Sequence, residues 1–157
     1  MRSSSGRFKR LAATATAIAL LSLSVSVQAL AVDPISTGLF SDVAVSGFDT
    51  VAYFTQGSPV EGSKQHTSEY MDAEFRFASA ENKEIFDAAP SRYAPQYGGY
   101  CAWAVSQGYT AKADPEQWKV VDNKLYLNYN SEIKQKWAQN TADNIDAADE
   151  NWPSLTD

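Results

Sequence analysis

Twice along this chain a strand–turn–strand pattern runs directly into a capped helix. That repetition restricts the fold more than any other feature. In the first instance, His66 to Met71 and Glu74 to Ala78 read as strands around a turn at Asp72-Ala73. Phe75 and Phe77 fall on one face of the second strand, and Glu74, Arg76 and Ala78 on the other. Ser79 then caps a helix that has Glu81 and Glu84 near its positive end, Ile85 and Phe86 on its core side, and Pro90 as its stop. In the second instance, Trp118 to Val121 and Lys124 to Asn128 form a hairpin over Asp122-Asn123. Asn130 caps a helix from Ser131 to about Gln139, and Thr141 caps another to about Asp149. Two hairpins with interspersed short helices predict an α+β fold. Phe75 and Phe77 should pack on Ile85 and Phe86, with Val121, Leu125, Leu127 and Trp137 joining the same core.

Around these units the punctuation is also legible. Val32 to Ser41 has Pro34 and Gly38 and no period, as in an irregular lead-in. Asp49 is placed to cap a short helix from Thr50 to Thr55 that ends at Gly57. Gly98-Gly99 permits tight backbone geometry, and Tyr100 to Gln107 reads as a short helix closed by Gly108.

The first 31 residues read as a secretory signal peptide. Arg2, Arg7, Lys9 and Arg10 form a positive n-region, Leu11 to Val27 an apolar and small-residue run, and Ala29-Leu30-Ala31 the cleavage pattern. The run carries Thr14, Thr16, Ser22, Ser24 and Ser26 and is short for a bilayer span. The expected organisation is therefore a signal peptide over 1–31, a lead-in over 32–46, and one domain with a C-terminal helical extension over 47–157. Export to the periplasm, or out of the cell, is expected. Cleavage leaves 9 Lys and Arg against 19 Asp and Glu, a net charge of −10. Such a chain repels nucleic acid and anionic membrane surfaces, so neither is expected as a partner.

One cysteine, Cys101, is all the sequence holds, so no intramolecular disulfide is possible and the core must carry the fold. Four Trp and eight Tyr supply it. Cys101 is either a buried, inert small hydrophobe or a ligand. Most catalytic templates fail: His66 is the only histidine, and there is no Cys-x-x-Cys, Gly-x-Ser-x-Gly elbow or phosphate-binding glycine loop. Catalysis is therefore not the expected role. Cys101 at the start of a short helix is placed to favour a thiolate, the form that binds soft metals such as copper. One sulfur makes a weak site, so His66 and Met71, with Glu69 as a carboxylate option, are the candidate co-ligands. Tyr93, Tyr97, Tyr100 and Trp103 cluster around Cys101, with Phe48, Tyr53 and Phe54 able to join them. They are either core or the lining of a ligand pocket, for which Tyr53, Tyr97, Tyr100 and Trp103 are the candidates.

Several stretches carry a resemblance. They are Gly47-Phe48-Asp49-Thr50-Val51-Ala52-Tyr53-Phe54, Phe75-Arg76-Phe77-Ala78-Ser79-Ala80-Glu81-Asn82, and Tyr93-Ala94-Pro95-Gln96-Tyr97-Gly98-Gly99-Tyr100-Cys101-Ala102. Leu125 to Tyr129 and Asn151-Trp152-Pro153 complete the series. Together they resemble exported bacterial YHS-domain proteins. The resemblance implies a small α+β unit of a β-hairpin, a following helix and a Pro-x-x-Tyr closure. It also implies, for some members, metal binding by cysteines at the hairpin–helix junction. Here Ala78 stands where the first of those cysteines is expected, and Asn82 near the second. Two functions stay open: a binding protein for a soft metal such as copper, and a non-metal small-ligand or protein-interaction module.

Overall fold

The computed structural model describes residues 30–157. Most of the expected signal peptide lies outside them. The architecture is α+β, with helices and two separate two-stranded antiparallel sheets. The elements run α1 (Ala52–Thr55), β1 (Ser63–Tyr70), β2 (Ala73–Phe77), α2 (Ala80–Ala88), α3 (Pro90–Tyr93), α4 (Ala102–Ser106), β3 (Asp114–Val121), β4 (Lys124–Asn128), α5 (Ser131–Gln139) and α6 (Thr141–Thr156). Among the described residues no helix is long and apolar enough to cross a membrane.

Each hairpin closes through two successive left-handed residues, the backbone of a type I′ loop. In the second hairpin these are Asp122 (φ 49°) and Asn123 (φ 57°), as the sequence predicts. In the first they are Met71 (φ 50°) and Asp72 (φ 62°), with Tyr70 paired to Ala73. The first turn therefore sits one residue earlier than Asp72-Ala73. Both long strands also carry a register shift, between Ser63 and Thr67 in β1 and between Asp114 and Trp118 in β3.

The caps at Ser79 and Asn130 act as expected, while Thr141 does not cap the last helix, whose N-cap residue is Asn140 with no side-chain cap hydrogen bond. Ser79 Oγ accepts from Asn82 N at 3.1 Å, and Asn130 Oδ1 accepts from Ile133 N at 2.9 Å. Pro90 does more than stop α2, since it opens α3 at a position where its missing N–H costs nothing. The last helix begins after Asn140 and runs past Asp149 to Thr156. This longer course brings Asn151 against α4. Its Nδ2 donates to Val105 O at 3.0 Å and Ser106 O at 3.2 Å, satisfying carbonyls that a helix C-terminus leaves orphaned.

The apolar interior divides in two. In the main core Phe86 stacks on Phe75 at 4.8 Å and meets Phe77 at 4.9 Å, with Ile85 packed at the margin and Leu125 and Leu127 joining. The three Phe side chains are each almost fully buried, worth about 1.5–3 kcal/mol apiece. Val121 and Trp137 do not join this core. They belong to a second cluster with Tyr97, Val105, Tyr126 and Ala148, and Trp137 lies 5.4 Å from Tyr126. The cause is register: Tyr126 points opposite to Leu125 and Leu127, toward α5 and α6.

The stretch before Ala44 has no regular element, yet it is tied down. Val32 N donates to Leu155 O at 2.9 Å, Ser36 N to Gly98 O at 2.8 Å, and Ile35 is buried. Two left-handed turns follow the same design. Val45, Ser46 and Gly47 have φ of 49°, 53° and 85°; Tyr97, Gly98 and Gly99 have 54°, 58° and 86°. A β-branched residue in this region is uncommon, and holding Val45 there costs of order 1–3 kcal/mol. At Gly98 a Cβ would stand 1.8 Å from Pro34 O, so no other residue fits beneath the lead-in.

Candidate functional site

The hairpin–helix junction, where the resemblance implies metal-binding cysteines, is organised around a carboxylate. Asp49 is fully buried. Its Oδ1 accepts from Val51 N at 2.9 Å and Ala52 N at 3.2 Å, which starts α1. Its Oδ2 reaches across the chain and accepts from Ala78 N at 2.8 Å and Asn82 Nδ2 at 2.7 Å. Four donors saturate the carboxylate. Ala78 offers no donor atom to a metal, and the Asn82 amide is committed to Asp49. The junction therefore does not fit a thiolate metal centre; it is a structural clasp. The capping half of Asp49's role is readable from Asp49-Thr50, but the reach to Ala78 and Asn82 is long-range and carries no local signal.

Cys101 lies beneath α4 as its N-cap residue, 1 % exposed. It sits among the main-core side chains, its backbone N donating to Ala111 O at 2.9 Å. Its thiol faces Asn128 Oδ1 at 3.7 Å. The same oxygen accepts from Trp103 N at 3.2 Å, while Asn128 Nδ2, buried, has no partner among the described residues. His66 is half-buried on β1, and Met71 is 50 % exposed in the β1–β2 turn. His66 stands within the register-shifted part of β1, and Met71 five positions on, in the left-handed turn that closes the hairpin. Cys101, His66 and Glu69 do not converge as a three-residue donor set. Among the described residues no three His, Cys, Asp or Glu side chains converge to hold a metal.

The aromatic candidates divide between the two clusters. Tyr53 packs on Trp118 at 5.3 Å and donates its hydroxyl to Pro115 O at 2.8 Å, all within the main core. Tyr97 and Tyr100 both meet Trp152, at 5.8 and 5.9 Å, on the C-terminal side. Trp103 lies between the clusters against Tyr109 at 6.5 Å. The four do not line one pocket. The Tyr97 hydroxyl donates to Asp149 Oδ1 at 2.8 Å, fastening the second left-handed turn to α6. Burial holds the hydroxyls of Tyr53 and Tyr97 well above the ordinary tyrosine range, helped at Tyr97 by Asp149. Burial, with Asp149 nearby, pushes Tyr126 up to about 12. Tyr100 is raised too, by burial and then Asp33. All four stay neutral at physiological pH, and Tyr53 and Tyr97 use their hydroxyls as donors.

Tyr97 does line a cavity, of about 350 Å³, with Met71, Ile35, Tyr70, Pro95 and Trp152. Of the sequence candidates it joins Met71 and Tyr97 and leaves out Tyr53, Tyr100, Trp103, His66 and Cys101. Trp152 is the lining residue that sequence reasoning missed, although Asn151-Trp152-Pro153 marks its position.

The YHS domain family model matches residues 51–97. The matched segment runs from the start of α1 through the first hairpin, α2 and α3 to the second left-handed turn. His66 and Met71 fall inside the matched segment, and Cys101 lies four residues beyond it. No curated protein and no solved structure matches the chain.

Proposed function

We propose that this protein is an exported YHS-domain module that binds a small, partly apolar molecule and performs no catalysis of its own. The observation that carries this reading is the cavity shared by Met71, Tyr97 and Trp152. It has apolar and aromatic walls with a few polar groups at its edge, the usual composition of a small-ligand site. It is bounded by the YHS segment on one side and by the lead-in and α6 on the other, so ligand contact would bridge all three. The N-terminal charge and cleavage pattern supports export.

The rival reading is a soft-metal protein holding copper through Cys101, which the YHS match favours. The donor geometry weighs against it, because Cys101 is buried and no three His, Cys, Asp or Glu side chains converge on one site among the described residues. Phenol serves as the probe for the first reading, followed by the Trp152 indole resonance in the full mature chain. Phenol should shift that resonance in the wild type and not in Met71→Asp, whose side chain is half exposed. No shift in the wild type defeats the reading. A Cu(I) titration of the reduced protein beside Cys101→Ser and His66→Ala decides the rival. Stoichiometric binding that is lost in Cys101→Ser would install the metal reading instead.

A further inference from the structure

We propose a second binding site, for an oxyanion group on a small molecule, in the cleft between the two left-handed turns. The cleft has a volume of about 230 Å³. The first turn contributes Val45 and Ser46, the second Gly99, and a Cβ on Gly99 would lie 3.8 Å from Val45 Cγ2. Two segments of left-handed backbone thus converge on one small space, and such conformations concentrate where a site needs its backbone fixed.

The lining chemistry gives the ligand class. Arg76 and Lys112 are its two charged residues, and Thr37, Ser41 and Ser46 line the same space. No carboxylate lines it among the described residues, in a chain whose mature part carries a net charge of −10. With no acid in its lining, with Arg76 paired to Glu74 only through Nε, and with Lys112 unpaired among the described residues, the cleft favours an anion. Arg76 is placed by β2 across the first turn, where a Cβ on Gly47 would meet its Cδ at 3.6 Å. Its Nε is held by Glu74 Oε1 at 2.7 Å, which orients the guanidinium and leaves the Nη groups for a bidentate acceptor. Lys112 is fixed at its backbone by a bridge to Tyr100 and has no ion-pair partner among the described residues. Asp114 lines the adjoining groove instead. An oxyanion, carboxylate or phosphate, held by the Arg76 fork and capped by Lys112 is the ligand this arrangement recognises.

Calorimetric titration of the full mature chain with inorganic phosphate and, separately, with succinate tests the site. The wild type should bind at least one probe, and which one binds identifies the oxyanion. Lys112→Glu, at an exposed side chain, should weaken that binding at least about tenfold. Arg76→Lys, which keeps the charge and loses the fork, should weaken it as well. Lys119→Glu makes the same charge change on exposed β3 outside the cleft and should leave affinity unchanged. Failure of the wild type to bind either probe overturns the proposal. So does an equal loss in Lys119→Glu and Lys112→Glu, which would reduce the effect to net charge. The phenol experiment involves neither Arg76 nor Lys112, so the two sites stand or fall separately.

Discussion

The two hairpin–helix units are built alike and finished differently. Each has a bulged long strand, a two-residue left-handed loop, a five-residue return strand and a side-chain-capped helix. Each also has a buried polar residue close to where the hairpin meets the rest of the fold. At the first it is Asp49, with all four hydrogen bonds made. At the second it is Asn128, whose oxygen serves Trp103 N and the Cys101 thiol while its NH₂ group has no partner. A saturated carboxylate locks geometry, whereas a half-satisfied amide leaves a buried donor at a cost. The comparison teaches where the YHS segment's rigidity lies. It comes from the Asp49 clasp, which occupies the junction where the resemblance implies metal-binding cysteines.

The strongest way to break this comparison is Asp49→Ala. It strips the acceptor from Val51, Ala52 and Ala78 N–H groups and from the Asn82 amide at once. Hydrogen bonds to a charged group contribute about 1.5–3 kcal/mol each and are not additive, so the expected loss is about 3–5 kcal/mol. Urea unfolding of the protein reads it directly. Asp49→Asn should fall between, since one of its termini becomes a donor facing two donors. A loss in Asp49→Ala below about 1 kcal/mol would mean the clasp contributes little more than an ordinary helix cap.

The same clasp shows how far the sequence could be read. Caps at Asp49, Ser79 and Asn130 were legible because capping is a local bargain between a side chain and an N–H two or three residues on. Oδ2 of Asp49 was not, since its partners lie 29 and 33 residues away. The Asp122-Asn123 loop was legible because both residues tolerate left-handed backbone. Met71 was not, because no propensity places methionine there. The left-handed turn at Gly98-Gly99 announced itself through its glycines, while its counterpart at Val45 was masked by a β-branched residue. The separation of Trp137 from the main core follows from Tyr126 facing α6, a tertiary choice that strand alternation permits without dictating. Of the candidate site residues, Met71 and Tyr97 share a cavity. Cys101 and His66 were singled out by chemistry alone, and spacing gave no information about their distance.

Asn128→Ala gives the second contrast. It removes an acceptor from Trp103 N but also removes the unpartnered NH₂ group, so the two effects oppose each other. The expected loss is about 1–2 kcal/mol, clearly below that of Asp49→Ala. The free thiol supplies a second readout. With the amide gone, Cys101 should react faster with a thiol reagent in the folded protein, because the Asn128 oxygen its thiol faces and part of its cover have left. A loss matching Asp49→Ala, with no change in thiol reactivity, would show that Asn128 is as well satisfied as Asp49 and would remove the contrast.

The smallest effect sharpens the comparison at the loops. Both turns demand two left-handed residues, but only Asp122-Asn123 is composed of residues suited to them. Met71 is also 50 % exposed, so little packing is lost on replacing it. Met71→Asn with Asp72→Gly converts the first loop to the sequence a type I′ turn prefers and should stabilise the fold by about 0.5–1 kcal/mol. Asn123→Gly in the second loop should gain less, because Asn already accepts left-handed backbone and Gly adds freedom to the unfolded chain. Parallel urea curves for the two variants test the difference. If the first replacement gains nothing, Met71 is held in place by contacts that offset its strain. The cavity it shares with Tyr97 and Trp152 is where those contacts lie, and loss of phenol binding in the same variant would tie the strained turn to the ligand site.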